Sequence, residues 1–479
     1  MTAGALTAAR PRLAIRPRVR RRELGLLIGV AVTLLAGSIS LGYTQLQLQA
    51  RLAGDTHPIP LLSPADLPAF VAYIGALFAA HLALTIAGRR TDQILLPTVG
   101  LLGGIGLLLM KRLPQNLAGS LGGLAHTQLV WLLLSLGLIT VLAIAVRNDA
   151  WLRRYKYTWA AIGVGLLLAV LVLGHDVNGA RLGIKVGPIT AQPSELLKVI
   201  LVVFLAGYLS ENQPLLAEES SRLGPIRVPP LPYLAPMVAM WAMALGIVVI
   251  ERDLGAALLF FLVFLLLLYV ATARASYVGL GLIAAAIGGV LVYLVLPYVR
   301  TRIDVWIDPF AQAQGAGYQV VQALHAFARG GLIGTGLGAG LPTIGGRPPI
   351  PALHTDFPFA ALGEELGLVG ILAILGLYLV VIERGLRIAA SAPDEFRAIL
   401  AAGLSLVVGV QAFIILGGNL KLIPLTGITL PFISYGGSSL LANGLVVGLL
   451  IALSDRGAEL PPPRPRSSRL RRIVDRGAA

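Results

Sequence analysis

The sequence predicts an all-α polytopic integral membrane protein with about twelve transmembrane helices. Of its 479 residues, 56% are hydrophobic and 13% charged, and the mean hydropathy is +0.82. A soluble chain would carry about 25% charged residues. Apolar runs of roughly 17–25 residues recur along the chain, each ended by charges, which is the length a helix needs to cross a bilayer. The chain has no cysteine, which excludes disulfides, thiolate metal sites and cysteine nucleophiles.

Twelve spans follow from the apolar runs, at about 24–43, 67–88, 93–110, 127–146, 157–174, 195–210, 231–250, 254–271, 277–297, 357–383, 396–417 and 438–454. Residues 1–23 read as a basic cytoplasmic tail, and residues 456–479 as a Pro/Arg-rich cytoplasmic tail. The arginine-rich start enters a full-length span without a small-residue cleavage site, so a cleaved signal peptide is not expected. The net charge of +15 sits largely in places that argue against nucleic acid, because 14 of the 38 Lys and Arg residues lie in the two tails. With the N-terminus inside, cytoplasmic segments hold 26 of those 38 residues, so both termini are expected in the cytoplasm.

On that orientation a large external loop covers about 298–356. It contains Arg300 and Arg302 in the stretch RTRIDVWIDP, then GYQ at 317–319, then a glycine-dense run from Gly330 to Gly346. Val320, Val321, Leu324 and Phe327 recur at helical spacing, which predicts a short amphipathic helix on the membrane. Two further external segments, 178–188 and 424–439, are apolar but broken by Gly and Pro. They suit re-entrant backbone lining a cavity.

The loop ends in His354-Thr355-Asp356-Phe357-Pro358, with Glu364 and Glu365 close behind. A charge inside a span costs about 2.5–3.5 kcal/mol on insertion scales, so acids there need a reason. Spacing alone leaves Asp356 equally a helix N-cap or a catalytic base. At 100° per residue, Glu364 falls on the side of Asp356 and Glu365 opposite. The first suits a wall of the same cavity and the second a partner for another helix. Glu195 and Lys198, three apart at the outer end of a span, read as a local ion pair or as lining of that cavity. Arg181, Lys185, Arg300 and Arg302 are external cations, either snorkelling or placed to neutralise a diphosphate. Asp253 reads as a helix cap or a cavity acid. The six histidines show no metal-ligand spacing, and no Walker motif occurs.

Several stretches together resemble the SEDS family (shape, elongation, division and sporulation), the RodA- and FtsW-type lipid II polymerases. They are NGAR at 178–181, QPSE with Lys198, DLG at 253–255, RIDVWIDP at 302–309, GYQ at 317–319, HTDF at 354–357 with GEELG at 363–367, and LTGITLPFISYGGSSLL at 425–441. The resemblance implies a ten-helix polymerase core at 93–455, preceded by a two-helix segment at 24–92. It implies an inverting peptidoglycan glycosyltransferase at the outer face of the bacterial cytoplasmic membrane. Lipid II is the implied substrate, and a class B penicillin-binding protein the implied partner.

Asp356 matches the family's catalytic aspartate, and Glu195 and Lys198 its functional pair. Ser434 and Tyr435 match the cavity-side motif. Leu182 stands where a tryptophan is expected, Ala352 where many relatives carry an acid, and Pro358 where isoleucine is usual. No cofactor is required by this reading, although a divalent cation (Mg2+ or Mn2+) would suit the diphosphate. The rival readings are a lipid II flippase and a non-catalytic scaffold for cell-wall synthases. GEELG and ITLPFISYGG lean towards the FtsW pattern, while the arginine-rich start and the extra helices resemble RodA.

Overall fold

The computed structural model of the chain describes residues 19–53, 67–117, 122–177, 180–186, 189–217, 221–223, 226–228, 252–340 and 348–455, with 238, 242 and 246. The extreme tails and nearly all of the span expected at 231–250 lie outside the described residues. Among the described residues, nine helices are long and apolar enough to cross a membrane. They are α1 (Arg21–Ala53), α2 (Leu67–Ile86), α3 (Leu95–Arg112), α4 (Leu124–Ala145), α7 (Pro193–Ala217), α8 (Leu254–Thr272), α9 (Ala275–Val295), α12 (Pro358–Ala390) and α13 (Glu395–Asn419). Two shorter apolar helices, α6 (Lys156–Leu173) and α14 (Gly437–Leu453), occupy two further expected spans. The short α5 (Ala150–Arg154) precedes α6.

Local chemistry sets several of the helix starts. Asp394 caps α13 by accepting from the amide of Arg397, and Asp253 caps α8 by accepting from Ala256. Pro358 opens α12 in the first turn, where its missing N–H costs nothing.

The helices α3, α7 and α13 form the interior, whereas α9 buries only Tyr277 at its start and is otherwise exposed or half-buried, as a lipid-facing helix would be. Pairs α4/α14, α12/α13, α6/α7 and α7/α13 pack directly. Helices α1 and α2 lean on α3 and α4, which places the N-terminal pair beside the core rather than apart from it.

The loop expected to be external is structured over its described residues. Helix α10 (Pro297–Ile307), a 3-10 turn (Phe310–Gln312) and α11 (Tyr318–Gly330) follow one another. Helix α11 buries Val320, Val321, Ala323 and Ala326, and Phe327 meets Phe359 of α12 edge-on at 5.9 Å. The segment around 180–191 is a small antiparallel sheet, β1 (His175–Val177), β2 (Ala180–Val186) and β3 (Ile189–Ala191), in that order. Strands β4 (Ser221–Leu223) and β5 (Ile226–Val228) form a separate hairpin. Re-entrant backbone is therefore found at 424–436, where Ile428, Leu430, Phe432 and Ile433 are buried without regular structure. Gly106 of α3 admits this segment, since a Cβ there would meet the Ile433 carbonyl at 2.7 Å.

Helix α12 is broken at Gly367, whose φ of 64° and ψ of −168° lie outside the helical region. The break frees backbone groups that the loop at 331–336 takes up. The amides of Leu368 and Val369 donate to the carbonyls of Gly331 and Leu332 at 3.0 and 3.1 Å. In return, the carbonyls of Glu364 and Glu365 accept from Thr335 and Gly336 at 2.9 and 3.0 Å. Irregular backbone at membrane depth is tolerated only when it is satisfied in this way.

Candidate active site

Asp356 sits in a turn, ahead of the helix it was expected to open. The amides of Asp356 and Phe357 both donate to the Ala352 carbonyl, at 2.9 and 3.3 Å. Phe357 takes the cap position of α12, and no side chain caps that helix. Of the two readings that spacing left open, the N-cap is the one this geometry removes.

Three neighbours clasp the backbone of the motif. The Ser434 hydroxyl donates to the Thr355 carbonyl at 2.7 Å, and the Tyr435 amide to the His354 carbonyl at 2.9 Å. Asn419, the last residue of α13, donates Nδ2 to the Asp356 carbonyl at 2.8 Å. Ser434 and Tyr435 thus hold the motif from behind.

Asp356 lines a cavity of about 270 Å³ with Arg302, Trp306, Gln319, Lys421 and Gly427. It is the one acid among the lining residues, and no ion pair to it occurs among the described residues. Burial pushes its carboxyl from the ordinary 3.8 up to about 6, against the opposing pull of the Thr355 hydroxyl and the Arg302 charge. Helix α10 places Arg302 and Trp306 four residues apart on one face. Arg302 Nη1 donates to the carbonyls of Leu425 and Thr426 at 3.3 and 3.0 Å, and Trp306 Nε1 to that of Lys421 at 3.1 Å. Both side chains therefore fix the re-entrant segment against the cavity.

Glu195, Lys198 and Asp253 line a second, smaller pocket of about 30 Å³ that shares Gly427 with the first. Lys198 is 1% exposed and donates to Glu195, Gln411 and Asn443 at 2.6, 2.7 and 3.1 Å. Three acceptors meet three N–H groups, so this ammonium is fully satisfied. Asp253 accepts from Ala256 at 3.0 Å through one oxygen and faces Gln192 and Ser194 with the other. Burial raises its carboxyl above the ordinary value, the Ala256 amide opposing.

The remaining candidates lie elsewhere. Glu364 pairs with Arg329 at 2.9 Å in a separate small pocket, and Glu365 with Arg112 of α3 at 2.7 Å. Helical spacing gave Glu364 the side of Asp356, but the neighbour covering that side is α11. Arg300 is exposed, over the Tyr293 ring at 5.6 Å, and is not part of the cavity lining. Arg181 and Lys185 fall on β2, and their side chains lie outside the described residues. Sequence reasoning missed Lys421, Trp306, Gln319 and Asn419 as site residues. The available signal was a polar Asn-Leu-Lys at a span end, directly before the re-entrant motif.

Four buried polar atoms on the elements that build this region have no hydrogen-bond partner among the described residues. They are the Tyr298 hydroxyl, His354 Nδ1, Asn419 Oδ1 and Thr426 Oγ1.

These features define a multi-pass membrane protein with an acid-centred polar cavity at one end of the bundle. The chain belongs to the FtsW, RodA and SpoVE family, described as cell cycle proteins, whose pattern matches residues 93–458. The peptidoglycan glycosyltransferase RodA of Mycobacterium tuberculosis (strain H37Rv) is 40% identical over 412 residues, covering 84% of this chain and 87% of its own. The probable peptidoglycan glycosyltransferase FtsW of Nitrosococcus halophilus is 36% identical over 385 residues, 78% of this chain and 95% of its own. Among solved structures, the RodA of Thermus thermophilus superposes with a TM-score of 0.55 at 26% identity, covering 76% and 97%. A chain from work on how a peptidoglycan synthase complex coordinates polymerization and crosslinking gives 0.62 at 27% identity, covering 78% and 99%.

Proposed function

We propose that this chain is a peptidoglycan glycosyltransferase that polymerises lipid II at the outer face of the cytoplasmic membrane, with Asp356 as general base. The observation that carries the reading is a half-buried carboxylate without an ion pair among the described residues, raised to about 6 by desolvation, on a cavity that also presents Arg302 and Lys421. A base works best when its pKa lies near the operating pH. Asp356 takes the proton of the GlcNAc 4-hydroxyl of one substrate, and that oxygen forms a bond to the anomeric carbon of the other. The bond from that carbon to the diphosphate oxygen breaks with inversion, and the electron pair leaves on undecaprenyl diphosphate. This leaving group needs charge neutralisation rather than protonation, which cations of the cavity supply.

A divalent cation fits only as a companion of the substrate. Mg2+ is commonly held by one or two carboxylates together with substrate phosphates and water, and the cavity offers the single carboxylate of Asp356. Among the described residues no group of three or more acids and histidines is placed to hold a metal.

A catalytic partner of the class B penicillin-binding type is supported by the likeness to a chain of a peptidoglycan synthase complex. The elongation-type role is supported by the higher identity to RodA and by an alignment longer than the family core. Both described ends of the chain meet at one face of the bundle, where the Asp92 amide donates to the Ser454 hydroxyl at 2.8 Å, the Asp92 carbonyl accepts from Arg20 at 2.9 Å, and Arg89 pairs with Asp455. Together with the excess of Lys and Arg on that side, this supports cytoplasmic termini.

Purified protein incubated with labelled lipid II tests the reading. Glycan chains from the parent and none from Asp356→Asn are expected. Chains from a folded Asp356→Asn would remove the base, and transport without chains would favour a flippase. Localisation of a fluorescent fusion to sidewall or midcell tests the elongation role.

A further inference from the structure

We propose that Lys421 is the cation that meets the departing diphosphate, held at the cavity by a left-handed turn that Trp306 pins. The inference deepens the glycosyltransferase reading and rests on it. Lys421 follows the end of α13, where the chain reverses sharply. The amides of Lys421 and Leu422 donate back to Gly418 and Gly417 at 3.2 and 2.8 Å. The reversal gives Lys421 a φ of +59°, a conformation that glycine adopts freely and that other residues rarely hold. A long cationic side chain at such a position is retained where its surroundings over-determine it and function uses it. Here the surroundings are on hand, because Trp306 Nε1 holds the Lys421 carbonyl at 3.1 Å.

The partners of the two cavity cations differ. The Arg302 guanidinium is committed to two backbone carbonyls of the re-entrant segment. The Lys421 ammonium has one partner, the carbonyl of Ile307 at 3.3 Å, and no acid within ion-pair distance among the described residues. Ile307 ends α10, so that carbonyl is one of the groups a helix terminus leaves unpaired within the helix. A single exposed carbonyl is a weak competitor for a flexible ammonium when a diphosphate enters the same cavity. As the anomeric carbon–oxygen bond breaks, its electron pair stays on the diphosphate, and Lys421 neutralises that charge while Asp356 holds the proton.

The geometry supplies a clean test. Lys421→Gly removes the cation and suits the left-handed φ, so the variant is expected to fold and melt no lower than the parent. With purified full-length protein and labelled lipid II, kcat/KM is expected to fall about 10–100-fold, and Lys421→Arg to recover it to within about threefold. A glycine variant that polymerises at the parental kcat/KM would overturn the inference. Binding of farnesyl diphosphate, followed by thermal shift with farnesol as the control, reads the same lysine without catalysis. About tenfold weaker binding in the glycine variant, restored by arginine, supports the role. Equal affinity in parent and glycine variant overturns it. If the parent binds the diphosphate through Lys421 yet makes no glycan, the lysine assignment stands and the polymerase reading fails.

Discussion

At the end of the bundle where α1 begins, Glu23 is buried between Arg20 and His81, and the other acids buried there are paired with cations. Arg20 pairs with Glu23, Arg384 with Asp92, Arg397 with Asp149 at 2.7 Å, and Arg89 with Asp455 at 2.6 Å. At the opposite end Asp356 is set into a polar cavity with no ion pair among the described residues. The residue types are the same, but the arrangement separates structure from chemistry. Buried charges that neutralise one another tie α1 and α2 to the links between α2, α3 and α14, and removing one partner leaves the other uncompensated. A partly desolvated acid without a counter-ion is costly to keep, and its raised pKa suits the proposed base.

The contrast can be broken at either end. The largest effect is expected from Asp356→Asn, which should lower lipid II polymerisation by about 10³-fold or more in folded protein. At the paired end, Glu23→Gln leaves Arg20 buried without its carboxylate. Breaking such a pair costs about 3–5 kcal/mol, so folded yield and melting temperature should drop. Turnover per folded molecule should stay near the parental value, since Glu23 is at the far end from the cavity. An equal loss of turnover would mean that the two ends are coupled.

A pH profile sharpens the comparison further. As the proposed base, Asp356 would act unprotonated, and desolvation raises its carboxyl to about 6. Polymerisation should therefore be full well above pH 6 and fall about tenfold per unit below it. Gly427→Ala is expected to reduce turnover about tenfold or less. Its φ of +79° disfavours a side chain, and the new Cβ would lie 4.0 Å from Asp356 Oδ2. The smallest effect concerns stability. Because the folded value of Asp356 lies above the ordinary one, its contribution to stability is fully present below about pH 4 and lost as pH rises through 6. Asp356→Asn should consequently melt higher than the parent at pH 8, and the gap should close at low pH.

The helices were legible in the sequence because a span needs only a run of apolar residues, a local property. Eleven of the twelve expected spans correspond to helices among the described residues, and the twelfth lies almost entirely outside them. The break in α12 was not legible. Gly367 interrupts an otherwise helical pattern, and only the loop at 331–336 makes the interruption tolerable. The sheet at 175–191 escaped for a related reason, since strand pairing depends on partners rather than on composition.

For the site, the motifs and their order offered Asp356 as catalytic candidate, with Glu195, Lys198, Asp253 and Arg302 among the cavity candidates. Sequence determined which side chains carry charge, and roughly at which end of each span they sit. Tertiary structure decided what each charge faces. It divided these residues between two pockets that share Gly427, sent Glu364 to Arg329 and Glu365 to Arg112, and brought Lys421 beside Asp356 across 65 positions of chain. An acid's role depends on the burial and the counter-charges around it, and those are supplied by residues distant in sequence.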